Sequence, residues 1–564
     1  MDQWNVAWID QYMNEAALHG AAAIVTYSLE IGYGSYSDDM INMQDLCAKD
    51  VIPCVSISRN HYKELSKAIK EGKNKATLEV DNVMEPDKGT IYNVVGKIKG
   101  KSSDQQIIVS GHYAVYFNGF QDDSCAISLI LSMAKAMKDS EYTPENDIVF
   151  VCHGSKEWGA IGSQFDWTTG AWEMINNAHP DWAGKTIAML NFELPAVYDG
   201  AKQGEIQCDP DFAPLVKEFV ENFGILAAPE NDIYPDGFNS TSVDTFCLED
   251  GVSYRASGVP HSVNIPGFDK EKDKNWNRDR YHTVADDKDT YNADVMTTNL
   301  KTFGALAIYV DQTPALKLDM TATCDDLDEA LNEDLAKAAG ADTEAYKAAS
   351  KELRASVDSL NKKIDDVNSR YEKAVSDGAS EDELTAIRSE GKALNKTTLE
   401  TFKYIQDHFI GIILTSDMVI KHIPYQSNIE LISDVTAALE KDVLSNEKEQ
   451  NGALDLAGQI NVRAEFGYYS FSPKTCKASE ESLLEDSNKG NLFWGTGKGP
   501  KLADTKDATR SLLKKSAAGE KGSYSEEIEI YNKALKAQQK EMTKTMEAET
   551  KAMKELADSL KAKI

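Results

Sequence analysis

Apolar and polar positions keep different rhythms in different parts of this chain. From about Thr90 to Phe192, short and nearly continuous apolar runs alternate with stretches in which apolar residues recur every third or fourth position. The runs 91–98, 106–110, 147–153 and 186–192 predict strands, and 123–137 and 162–175 predict helices. Such alternation implies an α/β fold with a mixed, mainly parallel sheet and helices on both faces. In sheets of this kind functional side chains gather beyond the carboxyl ends of the strands.

The flanking regions read differently. Residues 1–85 predict a smaller α/β unit, with helices over 10–20 and 61–71 and strands over 21–27 and 52–58. After Leu316 the composition shifts to Ala, Lys, Glu, Asp and Leu with helical periodicity, predicting helices over 325–375, 381–413, 429–444 and 525–564 and a loop over 488–501. The last helix carries an apolar stripe from Ile528 through Tyr531, Met542, Met546 and Met553 to Leu560, interrupted at Gln538 and Glu549. Those gaps favour packing on its own chain over a strong coiled coil. The expected division is therefore 1–85, 86–316 and 317–564.

Length and charge narrow the function. A chain of 564 residues is too long for one ordinary core, and 41% hydrophobic residues suffice for packed ones. A formal net charge of -32 makes nucleic acid a poor partner. No run of about 18 apolar residues occurs, so no membrane-spanning segment is expected. The start lacks a basic then apolar signal pattern and reads like the middle of a domain, which predicts a further segment upstream. The eight cysteines form no Cys-x-x-Cys pair, which excludes a zinc ribbon and a thioredoxin-type motif.

Chemistry-bearing residues cluster just past the predicted strands. His112 follows 107–111, Glu157 follows the strand ending at His153, and Glu193 follows 189–192. Asp123 opens the next helix, and His282 comes later in Arg280-Tyr281-His282-Thr283. Two imidazoles and three carboxylates at one sheet edge suit zinc. They exceed the needs of one ion, so a bridging carboxylate and two metals follow, a pair able to activate water and polarise a carbonyl. Asp122 reads as a helix N-terminal acid, with a second metal ligand as the alternative, and His153 and His261 flank the same edge, with substrate contact as their alternative role.

These segments resemble a known family. Gly111-His-Tyr-Ala-Val115 with Gln121-Asp-Asp-Ser124 looks like the "GHxD…ADDN" region of the M28 zinc exopeptidases. Ser155-Lys-Glu-Trp-Gly159 with Gly162-Ser163 resembles "EExGxxGS", Asn191-Phe-Glu193 resembles "NxD", and Tyr281-His-Thr283 resembles "YHT", all in order over about residues 90–312. The resemblance implies two Zn2+ bridged by Asp123, with His112 and Glu193 completing one site and Glu157 and His282 the other. It further implies a peptide substrate cut at a terminal bond; the aromatic Trp158 and Tyr281 beside these motifs read as lining a side-chain pocket, with packing as the alternative. The first segment resembles the later part of a protease-associated (PA) domain, which implies a location outside the cell or on its surface. The C-terminal helices are similar to dimerisation helices of larger relatives, which implies a homodimer.

Two positions depart from the pattern. Ala114 stands where an aspartate orients the first histidine, a partner worth about 10–100-fold in metal affinity or activity. Lys156 stands where a glutamate takes the proton from the attacking water, a role worth about 10²–10⁴-fold. Neighbouring cations are expected to depress the lysine's pKa. The alternative reading is an inactive, metal-binding relative that recognises a peptide or protein.

Overall fold

The computed structural model describes residues 13, 15–27, 37–41, 52–81, 90–157, 168–198, 200–227, 233–242, 249–265, 280–412, 418–446, 448–461, 472, 474–475 and 497–564. Its centre is a seven-stranded mixed sheet ordered β3-β5-β4-β6-β9-β7-β8. The strands are β3 (Val94–Ile98), β4 (Gln106–His112), β5 (Asp147–His153), β6 (Thr186–Asn191), β7 (Gly204–Cys208), β8 (Phe238–Ser242) and β9 (His261–Ile265). β5, β4, β6 and β9 run parallel to their neighbours in that series, while β3 pairs antiparallel with β5 and β7 with β9.

The nearly unbroken apolar runs make sense because both faces of the sheet are covered. Ile107 and Val109 of β4, Ile148 and Phe150 of β5 and Leu190 of β6 point into one core, shared with the helices Cys125–Asp139 and Ala293–Gln312. Their alternate neighbours Ile108, Val149, Val151 and Met189 point into the other, against Met174, Ile175, Trp182 and Tyr254. This is the two-residue period of a strand buried on both sides, each such side chain contributing about 1.5–3 kcal/mol. β3 is shorter than the predicted run, and its exposed positions mark it as an edge strand.

The small N-terminal unit contains two parallel strands, β1 (Ile24–Tyr27) and β2 (Cys54–Ile57), and the helix Arg59–Lys70. Residues 13 and 15–18 of the helix predicted over 10–20 are helical, and 10–12 and 14 lie outside the described residues. Residues 158–167 do too, so the start of the helix predicted over 162–175 is not placed; Thr169–Glu173 is helical.

The C-terminal region is helical, as its periodicity predicts, with two differences. The helix predicted over 325–375 is three: Thr321–Glu329, Glu333–Ala339 and Thr343–Ser376. Asn332 and Asp342 cap the second and third with their side chains, and Gly340 turns at φ 92 between them. Each short polar side chain satisfies a free N–H at a helix start, which makes the breaks more stable than continuation. The helix predicted over 381–413 ends at His408, and Ile410–Ile412 (β10) instead pairs antiparallel with Met418–Ile420 (β11). Lys421 and Lys498 donate to the carbonyls of Asp407 and Gln406 at that helix end.

The last helix, Ser525–Lys563, buries its stripe against Thr343–Ser376 and Ile423–Glu440 of its own chain. The two gaps in the stripe are buried with it. Gln538 accepts from Asn428 and donates to the Lys501 carbonyl, and Glu549 pairs with His422 at 2.8 Å. The core is continuous from β4 through Leu316 to Leu560, so the helical region and the sheet share one interior. Among the described residues no helix is long and apolar enough to cross a membrane.

Candidate metal centre

Parallel β4, β5 and β6 end at one edge, in register: His112 opposite His153, and Ser110 opposite Asn191. The chain leaving each strand delivers one ligand candidate. His112 is the last residue of β4 and fully buried. Its Nδ1 lies 2.9 Å from the Ala114 carbonyl, which can only accept, so Nδ1 carries the proton. The imidazole is thereby oriented with Nε2 toward the acids, the task the absent aspartate would have performed. Nε2 sits 3.3 Å from Asp122 Oδ1, 3.3 Å from Glu193 Oε2 and 3.7 Å from Asp123 Oδ2.

The acid that stands between the histidines is Asp122, in the place the sequence reading gave to Asp123. Its Oδ1 faces His112 and its Oδ2 lies 3.1 Å from His282 Nε2. Asp123 stands behind it: its Oδ1 accepts from the Leu194 N–H at 3.2 Å, while its Oδ2 lies 3.7 Å from His112 Nε2. What sets this is Asp286, whose carboxylate accepts from the N–H of Gln121 at 2.8 Å and of Asp122 at 3.2 Å. Sequence reasoning missed Asp286; its only signal was a position four residues after His282. Burial pushes its carboxyl up to about 6.

Glu157 presents Oε1 to His282 at 3.4 Å, and Tyr116 fixes its backbone by donating to the Glu157 carbonyl at 2.7 Å. Glu193 is clamped by Asn264 of β9, which accepts from its N–H at 2.8 Å and donates to its carbonyl at 2.7 Å. Tyr281 is buried, its ring stacked on His282 at 3.8 Å, and so holds that imidazole. Trp158 lies outside the described residues.

The result is two groups of ligand atoms, His112–Asp122–Glu193 and Asp122–Glu157–His282, each gathered within 4.8 Å and sharing Asp122. Both Asp122 oxygens, both Glu157 oxygens, Glu193 Oε1 and His282 Nε2 are buried without a hydrogen bond. Buried carboxylates left without donors are costly, and a divalent cation satisfies them; imidazole and carboxylate are zinc ligands. The donor set therefore fits zinc.

The electrostatics agree. Burial and Lys156 pull the His112 pKa down, but Glu193, Asp123 and Asp122 outweigh them and hold it well above 6.5. Burial likewise opposes His282, which Glu157 and Asp122 nevertheless raise to about 9. Burial pushes Asp123 and Glu193 upward. Burial thus raises these two acids, while the neighbouring carboxylates raise the two imidazoles, so protons and metal cations compete for the site.

Lys156 is 4% exposed, with Nζ 3.6 Å from Glu193 Oε2 and 3.7 Å from Glu157 Oε2. Burial pulls its pKa down, yet Glu157, Glu193, Asp122 and Asp250 hold it well above 10.5. The depression expected from two neighbouring metal cations would act against this pull of the carboxylates.

Behind the centre lies a second polar network. His261 bonds Asp209 through Nδ1 at 3.0 Å and Glu249 through Nε2 at 2.7 Å, while His153 bonds Asp250 and Tyr254. Asn191 donates to Glu249 at 2.8 Å. Both nitrogens of both rings are engaged inside the protein, so these histidines brace the strand ends.

Residues 93–307 match the model of Peptidase family M28. A protein of Arthroderma benhamiae described as "Probable glutamate carboxypeptidase" is 25% identical over 123 residues, which are 21% of this chain and 16% of that one. The zinc aminopeptidase BSAP of Bacillus subtilis is similar with a TM-score of 0.37 and 17% identity, covering 53% of this chain and 66% of that structure. An aminopeptidase from Aneurinibacillus sp. strain AM-1 gives a TM-score of 0.35 and 19% identity, with coverages of 54% and 67%. The chain thus spans just under two thirds of the first of these structures and a small part of the curated relative.

Proposed function

We propose, from this Peptidase family M28 domain, that the chain is a zinc-dependent exopeptidase acting on peptide termini, with hydrolysis held low by Lys156. The observation that carries the reading is the pair of ligand groups sharing Asp122, with buried carboxylate oxygens lacking any other partner. His112 and Glu193 offer one candidate zinc site and Glu157 and His282 a second, with Asp122 common to both groups. When bound, zinc supplies Lewis acidity, which lowers the pKa of water and polarises a carbonyl. The protein's own residues do the rest. Ala114 and Tyr281 orient the imidazoles, Asp286 aims Asp122, and the buried walls exclude bulk water.

Proton transfer is the weak step. A glutamate at position 156 would accept a proton from the attacking water, whereas a lysine ammonium has no lone pair to accept one. General-base loss costs about 10²–10⁴-fold. The test compares zinc-loaded wild type with Lys156→Glu on unblocked and blocked dipeptides and amino-acid amides. The expected result is a gain of about 10²–10⁴-fold in kcat, lost on chelation. Equal turnover in both proteins would remove Lys156 from the base position.

The ammonium at the base position also favours a second reading, a metal-braced module that binds a peptide or protein without cutting it. Wild type that binds peptide with no turnover, while Lys156→Glu hydrolyses it, selects that reading. We further propose that the N-terminal strands belong to a PA-type domain and that the protein acts outside the cell or on its surface. A homodimer through the C-terminal helices would use their charged outer faces, since the apolar stripe is spent within the chain. Light scattering at micromolar concentration tests it.

A further inference from the structure

We infer that Lys156 is a resident cation that takes the place of one divalent ion, so that wild type binds a single zinc, at Asp122–Glu157–His282. The inference rests on the metal-binding reading above and goes beyond it in number and place.

The two ligand groups meet the ammonium differently. In the first, the oxygen of Glu193 that faces His112 Nε2 at 3.3 Å is the same Oε2 that lies 3.6 Å from Lys156 Nζ. In this orientation an ion held by His112 and Glu193 Oε2 would share that oxygen with the ammonium and stand against it, and the free Glu193 Oε1 would have to turn toward His112 to avoid the clash. In the second, the two functions fall on different atoms: Glu157 turns Oε1 to His282 and Oε2 to Lys156. Glu157 can therefore keep its lysine contact and still offer a free oxygen. Both Glu157 oxygens are buried without a hydrogen bond, and so are both oxygens of Asp122. Lys156 is itself buried among them, so solvent does not screen the repulsion between its charge and a second dication.

Charge arithmetic points the same way. Asp122, Asp123, Glu157 and Glu193 bring four formal negative charges, and Lys156 one positive charge. Replacing lysine by glutamate changes the total by two, the charge of one divalent cation. One ion beside Lys156 leaves the same net charge of minus one as two ions beside a glutamate.

The experiment strips the full chain with chelator, dialyses it, and titrates it with zinc chloride, reading stoichiometry by calorimetry and bound metal by elemental analysis. Wild type is expected to take up one tight equivalent. Lys156→Glu is expected to take up two, and Lys156→Met, which removes the charge while keeping the bulk, to gain a second, weaker equivalent. His282→Ala should weaken the wild-type equivalent by more than about 100-fold, beyond the loss expected for a supporting partner, whereas His112→Ala leaves it within about threefold. Thermal unfolding of each stripped variant verifies folding, and Lys156→Met carries the test if the added acid of Lys156→Glu does not fold. Two tight equivalents in wild type overturn the inference and leave the metal reading standing. So does a single equivalent lost in His112→Ala and kept in His282→Ala. No zinc in wild type or in either Lys156 variant overturns both.

Discussion

The buried pair of His422 and Glu549 offers a sharp test of how the C-terminal region is held to the rest. His422 is 0% exposed and Glu549 1%. His422 Nδ1 donates to Glu549 Oε2 at 2.8 Å and Nε2 to the Ala330 carbonyl at 3.1 Å. Carboxylate and carbonyl can only accept, so both ring nitrogens carry protons and the imidazole is charged. At this distance the gross attraction is about 6 kcal/mol for an effective dielectric near 20, and desolvating two ions removes several kcal/mol each, so the intact pair contributes little net stability. Truncating one partner is different, because it strands the other: Glu549→Ala should cost about 3–5 kcal/mol. The double variant Glu549→Leu with His422→Leu, which buries neither charge, should lie within about 1 kcal/mol of wild type.

Urea unfolding at constant m-value measures all of these and, with Glu549→Leu and His422→Leu made singly, closes the double-mutant cycle. The pH dependence supplies an independent sign. Burial opposes the charged ring, but Glu549 wins and raises the His422 pKa above 6.5. A base with a raised folded pKa contributes stability that is fully present below about 6.5 and is lost as pH climbs through the folded value. Glu549→Ala should remove that dependence. A loss below about 1 kcal/mol in Glu549→Ala, or a double variant as unstable as the sum of the singles, would refute the reasoning.

Other consequences are open to direct measurement. Burial opposes the His261 charge, yet Asp209 and Glu249 raise its pKa to about 10, so the stability this ring supplies should be whole below pH 6.5 and fall away between about 6.5 and 10. Unfolding free energies across that range should flatten in His261→Gln, and an unchanged slope would dismiss the network as a brace. Asp286→Ala leaves the N–H groups of Gln121 and Asp122 without their acceptor and should weaken zinc binding by about 10–100-fold, while exposed Asp289→Ala leaves it unchanged; equal affinities would show that Asp286 does not aim Asp122. Zinc at a hundredfold excess over its dissociation constant should stabilise the fold by about 2.7 kcal/mol, seen as a rise in Tm reversed by chelator. A Tm indifferent to zinc would count against any bound ion.

How much of this was legible in the sequence depended on whether a feature was local. The doubly buried strands announced themselves because period-two burial on both faces leaves no polar positions, as in Ile107-Ile108-Val109. The helix breaks at Asn332 and Asp342 were equally local. A capping side chain at each, with Gly340 between, marks them, and the apolar periodicity on either side masked the signal. The β10–β11 hairpin was hidden because a short apolar run such as 409–414 has no period long enough to separate strand from helix. Gln538 and Glu549 looked like interruptions of a stripe. Their partners, Asn428 and His422, lie more than a hundred residues earlier, so only the fold could show them as satisfied interior positions.

The centre divides along the same line. That His112, Glu157, Glu193 and His282 converge followed from strand ends at one edge, a property of topology that pattern can predict. Which of two adjacent aspartates stands between the histidines did not, because consecutive side chains point different ways and the choice turns on the backbone between them. That backbone is held by Asp286, more than 160 residues away along the chain, through two N–H groups that every non-proline residue possesses. The same holds for Ala114, where the missing aspartate read as a lost function. A carbonyl oxygen is common to every residue, so its use by His112 leaves no trace in residue identity. Substitutions that delete a side-chain role are thus weaker evidence of lost chemistry than substitutions that invert a charge. Ala114 is repaired by its own backbone, whereas no backbone group can undo the ammonium of Lys156 beside Glu157 and Glu193.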